Sequence, residues 1–131
     1  MIDSALLEAY HDTTYRAFFP GEAADIRMGC RHARLDELLD GQSWAFISAC
    51  NPASVPASDN PERHAALLLR LEGHVLHPGM GIPDKGNWPP EQSVLVCGIN
   101  EADAILIGRE FGQNAIVCGE QGGTARLVTL S

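Results

Sequence analysis

Residues 43 to 50, SWAFISAC, are almost continuously apolar, yet the run is only eight residues long. A run this short and this uniform reads as a strand buried on both faces, since a half-exposed strand alternates and a core helix is longer. Two later stretches share the character, QSVLVCGI at 92–99 and NAIVCG at 114–119. Residues 44–50, 93–98 and 114–118 are therefore expected to be adjacent inner strands, because such runs at an edge would invite pairing with other chains. Inner strands need cover on both faces, so the chain must also supply helices to lie against them.

It supplies them. Residues 3–11 read as a short helix beginning at Asp3 or Ser4, and ARLDELLDG at 33–41 as another that stops at Gly41. Asn60-Pro61 opens a third, with Asn60 as its cap, Pro61 at its first position and Ala65, Leu68, Leu69 and Leu71 as its apolar stripe. NEADAILIGREFG, 100–112, is a fourth, capped by Asn100. TTYRAFF at 13–19 is rich in β-branched and aromatic residues and reads as a strand, and ADIRMG as a short one. Residues 74–91 read as a short strand running into a long Gly/Pro loop, a kind of segment that is usually functional. NAIVCG and ARLVTL form a terminal hairpin through Glu120-Gln121-Gly122-Gly123. The expected fold is α+β: one domain over 1–131, with a mixed sheet of five to six strands and three to four helices packed on it.

Five blocks occur in order: YRAFFPG, WAFISACNPAS, DNPERHAALLLRL, GNWPPEQSVLVCGI, and FGQNAIV with its Gly-rich hairpin. Together they resemble the bacterial family known as domain of unknown function 3293, over roughly residues 15–129. Members of that family carry an aromatic residue before Asn-Pro where this chain has Cys50. The resemblance implies a small stand-alone bacterial domain and no particular chemistry.

Seventeen Asp and Glu stand against nine Lys and Arg, a net charge of −8. That balance argues against nucleic-acid partners, whose binding rests on neutralised phosphates, and against anionic membrane surfaces. No apolar segment is long enough for a membrane span, and MIDSALLEAYHD lacks a basic, then apolar, leader pattern. The expectation is a cytoplasmic protein with reduced thiols. Cys30, Cys50, Cys97 and Cys118 form no C-x-x-C pair. Cys30 with His32, or His74 with His77, lacks a matching second pair, so neither metal nor other cofactor is expected. Cys97 and Cys118 are placed as possible neighbours across two strands. Cys50 is the one cysteine beside a polar loop.

Ligands of sheet proteins gather beyond strand ends and at helix starts. Asn51 leaves the 44–50 strand, Arg63 lies in the first turn of the next helix, Glu91 and Ser93 begin a strand, and Gln113 and Asn114 begin another. Asn51, Arg63, Glu91 and Gln113 are thus the candidate ligand-binding residues, converging at one end of the sheet behind a gate at 78–90. A cation in a first helical turn gains nothing from the helix dipole, so Arg63 needs a partner. That partner is Glu91 or Asp59 in an ion pair, or an anionic ligand. Nothing marks a reaction. Ser48 lies outside any G-x-S-x-G elbow, the glycines at 79–81 and 119–123 lack a Walker lysine, and His64 reads as packed or solvated. Two functional classes stand: binding of a small anionic or amide-bearing molecule, or a protein-interaction domain, homodimeric in one form of that reading, whose polar cluster only orders loops.

Overall fold

The computed structural model describes residues 3–86 and 88–130. Four α-helices and seven strands follow in the order α1 (Ser4–His11), β1 (Thr13–Phe19), β2 (Glu22–Ile26), α2 (Ala33–Leu38), β3 (Trp44–Ile47), α3 (Asn60–Arg70), β4 (Val75–Pro83), β5 (Glu91–Cys97), α4 (Glu101–Glu110), β6 (Ala115–Gly119) and β7 (Arg126–Thr129). A 3₁₀ turn, Pro52–Ser54, follows β3. All the strands join one sheet in the order β2-β1-β4-β5-β3-β6-β7. The three apolar runs are its adjacent inner strands β5, β3 and β6, as their continuity demands.

Each ladder is antiparallel. The expected mixed sheet of five to six strands is therefore corrected to seven antiparallel strands. Among the described residues the one parallel feature is an isolated bridge between Met28 and Ala125. It joins the two edges: Gly29 N–H donates to the Ala125 carbonyl at 2.7 Å, and Ala125 N–H to the Cys30 carbonyl at 3.0 Å. The sheet curls far enough to become a partly closed barrel, which gives it an inside and an outside.

The expected 78–90 loop is the second correction. HPGMGIP does not loop; it completes a nine-residue strand, β4, paired with β5 from Val75 to Gly81 and with β1 from Gly79 to Pro83. Pro78 falls just where the β1 ladder ends, so its missing N–H is tolerated there. Gly79 faces inward beneath an aromatic ring, and a Cβ there would stand 2.6 Å from Phe46 Cε2. The loop shrinks to the segment after Pro83, of which Asn87 lies outside the described residues.

Strand alternation sorts the side chains. Tyr15, Phe19, Ile26, Trp44, Phe46 and Leu95 point into the barrel, where Leu35 of α2 and Leu39 at its C-cap join them and close one end. Ala45, Ile47, Val94, Val96, Ile116 and Cys118 point outward and are covered by Leu67 and Leu71 of α3 and Ala104 and Ile107 of α4. Helix α3 is thus turned from its expected setting: His64, Leu67 and Leu71 face the sheet, while Leu68 is 39% and Leu69 71% exposed. Cys97 belongs to the inner cluster and Cys118 to the outer, so the sheet separates two thiols expected to be neighbours.

Candidate functional site

The barrel is filled unevenly. At the α2 end its inward positions carry Trp44, Phe46, Leu95 and Val117. One step further along the same faces, two residues on, stand Ser48, Ser93 and Ala115, with Gly81 beside them on β4. The side chains shrink together, and a cavity of about 470 Å³ remains at that end. Helix α1 roofs it with Leu6 and Tyr10, and Trp88 stands at its mouth. Tyr15 and Phe46 form its floor, their rings edge to face at 5.4 Å.

Asn51, Glu91 and Gln113 all line this cavity; Arg63 does not. The segment after β3 turns sharply, with Asn51 at φ 48°, Ala53 at φ 56° and Ser54 at φ 60°, three left-handed residues of which none is glycine. Such conformations cost about 1–3 kcal/mol each and persist only where neighbours enforce them. The enforcement is visible. Asn51 N–H donates to Asn60 Oδ1 and Asn60 Nδ2 to Asn51 Oδ1, both at 2.9 Å, while Ala57 N–H donates to Asn51 Oδ1 at 3.1 Å. Ala53 N–H reaches the Gly112 carbonyl at 2.8 Å, and Asn114 Nδ2 reaches Ser54 Oγ at 2.9 Å.

Asn60 is therefore not the helix cap expected of it. Its amide makes no capping bond to α3 and is spent holding Asn51 in place. So fixed, Asn51 donates through Nδ2 to Glu91 Oε1 at 2.9 Å. Burial pushes the Glu91 carboxyl above its usual range, with the Asn51 and Ser48 side chains opposing that shift.

Arg63 has neither of its expected partners. Its Nε donates to the Ala49 carbonyl at 2.7 Å and its Nη2 to the Phe111 carbonyl at 2.6 Å. Among the described residues it forms no ion pair with Glu91 or Asp59. The reason is geometric. Phe111 is the C-cap of α4, where unpaired carbonyls and the negative end of the helix dipole attract a cation. Gln113 reaches the same carbonyl, with Nε2 at 3.3 Å, and also the Cys50 carbonyl at 3.0 Å. Arg63 and Gln113 thus sit together, Arg63 behind the cavity wall and Gln113 in it.

Cys50 is a poor nucleophile here. Burial raises its thiol above the usual value, and its Sγ contacts the Gln92 carbonyl at 3.6 Å. His64 lies under α3 with Nδ1 buried and unpartnered, and burial lowers its basicity. Among the described residues no three of His, Cys, Asp and Glu are grouped to hold a metal, and no helix is long and apolar enough to cross a membrane. Sequence reasoning missed Tyr10, Tyr15 and Ser54. The signal that marks the cavity is the coincidence of Ser48, Gly81, Ser93 and Ala115 at inward positions, which needs the register to be seen.

The fold and site define a small curled-sheet α+β protein with a roofed, largely apolar cavity at one end of its barrel. The chain belongs to the family described as protein of unknown function (DUF3293), whose model matches residues 47–116. That stretch is narrower than the 15–129 over which the sequence blocks recur, and it holds all four candidate residues. No curated protein and no solved structure matches the chain.

Proposed function

We propose that the chain binds a small molecule in the cavity at the α1 end of the barrel, an apolar body carrying one hydrogen-bonding head group. The observation that carries this reading is the joint shrinkage of inward residues around a half-buried carboxyl. A sheet meant only to pack would fill those positions, as it does at the other end. The cavity volume of about 470 Å³ lies within the range of ligand pockets, roughly 300–1,000 Å³. Mostly aromatic and aliphatic walls with a few fixed polar atoms are what such pockets share.

Of the two head groups expected from the sequence, the anionic one loses its support, because Arg63 is spent on two carbonyls. The amide keeps its support, since an N–H would meet the Glu91 carboxyl. Asn51, Glu91 and Gln113 form the polar wall, and Arg63 steadies it from behind.

Gly81 gives the test. A Cβ there meets nothing nearer than 3.9 Å, and the position lines the cavity, so a larger side chain is expected to occupy that space. Benzamide and related aromatic amides should shift amide signals of residues 6–15, 48–54 and 91–93 in protein NMR spectra. Gly81→Leu should abolish those shifts while its melting curve stays cooperative. Shifts that survive Gly81→Leu unchanged, or map elsewhere, would refute the site.

A further inference from the structure

An account of donors and acceptors in the cavity narrows its ligand. Most donors of the wall's polar side chains are spent within it, the exceptions being one Asn51 N–H and the proton that Tyr10 and Ser54 share. Ser48 Oγ donates to the Gln92 carbonyl and Ser93 Oγ to the Glu91 carbonyl, each at 3.2 Å. Gln113 Nε2 is divided between two carbonyls, and Asn51 Nδ2 serves Glu91. Tyr15 OH donates to the Tyr10 carbonyl at 2.9 Å. What these groups leave for a ligand is mainly acceptors: the second Glu91 oxygen, Gln113 Oε1 and the lone pairs of Ser93, against one remaining Asn51 N–H. A wall of acceptors with a carboxyl among them selects a molecule that donates.

The charges and rings point the same way. Among the described residues Lys85 is the one cation lining the cavity, and it pairs with Asp12 at 3.4 Å on the rim. Glu8 adds a further negative charge on the roof. Four aromatic residues line the space, Tyr10, Tyr15, Phe46 and Trp88. Ring faces attract cations, more strongly where water is excluded. A cation near Glu91 also offsets the desolvation that its carboxylate otherwise bears alone.

Resting on the proposed ligand site, we infer that the head group it takes is a cationic N–H donor, a primary ammonium or amidinium on an aromatic or aliphatic body, with the Glu91 carboxylate as its counter-ion. The titratable groups near Glu91 are Tyr10 from α1, Tyr15 from β1 and the Cys50 thiol, with Glu8, Asp12 and Lys85 also lining the cavity. Burial raises both tyrosines and the thiol, so all three stay neutral at neutral pH and the negative charge nearest the wall is that of Glu91.

The experiment uses three probes of one shape: phenethylammonium, neutral 2-phenylethanol and anionic 3-phenylpropionate. Each is titrated calorimetrically into the full chain, into Glu91→Gln and into Gly81→Leu, at pH values from 4 to 8. At pH 8 the ammonium should bind about tenfold or more tighter than the alcohol, as a charge-assisted bond exceeds a neutral one. The propionate should be the weakest. Ammonium affinity should fall as acid protonates Glu91, while that of the alcohol stays flat. Glu91→Gln should bring ammonium and alcohol to one affinity, and Gly81→Leu should remove both. Equal binding of ammonium and alcohol by the unaltered protein, with loss in Gly81→Leu, overturns the charge assignment and leaves the site standing. An ammonium preference that persists in Glu91→Gln overturns the role of Glu91. Failure of every probe to bind at any pH overturns the ligand site and this inference together. If Glu91→Gln does not fold, the same pH series on the double variant Glu8→Gln/Asp12→Asn, which leaves Glu91 as the carboxylate of the lining, decides the claim.

Discussion

Replacing Arg63 by alanine tests whether this arginine is a fastener or part of a binding surface. Two guanidinium N–H groups are lost, one from the Ala49 carbonyl at the end of β3 and one from the Phe111 carbonyl at the end of α4. Hydrogen bonds to charged groups contribute about 1.5–3 kcal/mol each. The Phe111 carbonyl keeps Gln113, so its share of the loss is smaller. The expected cost is about 2–4 kcal/mol, a drop in Tm of roughly 8–16 °C for a chain of this size. Urea unfolding followed by circular dichroism should show a lower midpoint with an unchanged slope. Arg63→Lys, which carries a point charge and no planar fork, should recover less than half. The double mutant with Gln113→Ala should be non-additive by at least about 0.5 kcal/mol, because both side chains serve one carbonyl, whereas Arg63→Ala with Glu91→Gln should add simply. A loss under about 0.5 kcal/mol, or strong coupling to Glu91 with none to Gln113, would refute the account of Arg63.

Gly79→Ala should cost about 1–3 kcal/mol through its clash with Phe46, while Gly81→Ala stays within about 1 kcal/mol of the parent in the same denaturation assay. The Glu91 carboxyl titrates above its unfolded value, so its contribution favours the fold below about pH 4.5 and is lost as pH rises through the folded value. Glu91→Gln should therefore be the more stable protein at pH 8, with the difference shrinking toward pH 4; melting curves across that range that run parallel would contradict it. His64 behaves in the opposite sense: its lowered basicity stabilises the fold above about pH 6.5 and is lost as pH falls through the folded value. His64→Leu, which also removes an unpartnered nitrogen, should raise the urea midpoint at pH 5 by more than at pH 8.

Much of the fold was legible because it rests on burial. SWAFISAC, QSVLVCGI and NAIVCG announce inner strands by composition alone, and TTYRAFF matches β1 residue for residue. What stayed hidden was decided by long-range pairing. HPGMGIP has the composition of a loop, and it becomes strand only because β1 and β5 hold it from both sides and Phe46 needs the room that Gly79 leaves. The turned face of α3 had a similar cause, since Leu67 and Leu68 are equally apolar and only the sheet beneath chooses between them. At the site, the strand ends singled out by the sequence bring Asn51, Glu91 and Gln113 to the wall of one cavity. The roles of Asn60 and Arg63 were misjudged because local rules for caps and dipoles were outbid by a strained turn and an open helix end nearby.

The bridge between Met28 and Ala125 ties together positions about a hundred residues apart in the chain. Closing so long a loop comes at the end of folding, after the hairpins and helix contacts have formed. Until then the growing sheet has two bare margins, β2 and β7, each able to pair with the margin of another copy. A half-made ring is thus the sticky form of this molecule, and the finished one has little edge left to offer. Changes at Met28 or Ala125 should accordingly appear first as clumping and poor recovery during refolding at high concentration, before they register in the melting temperature of what does fold.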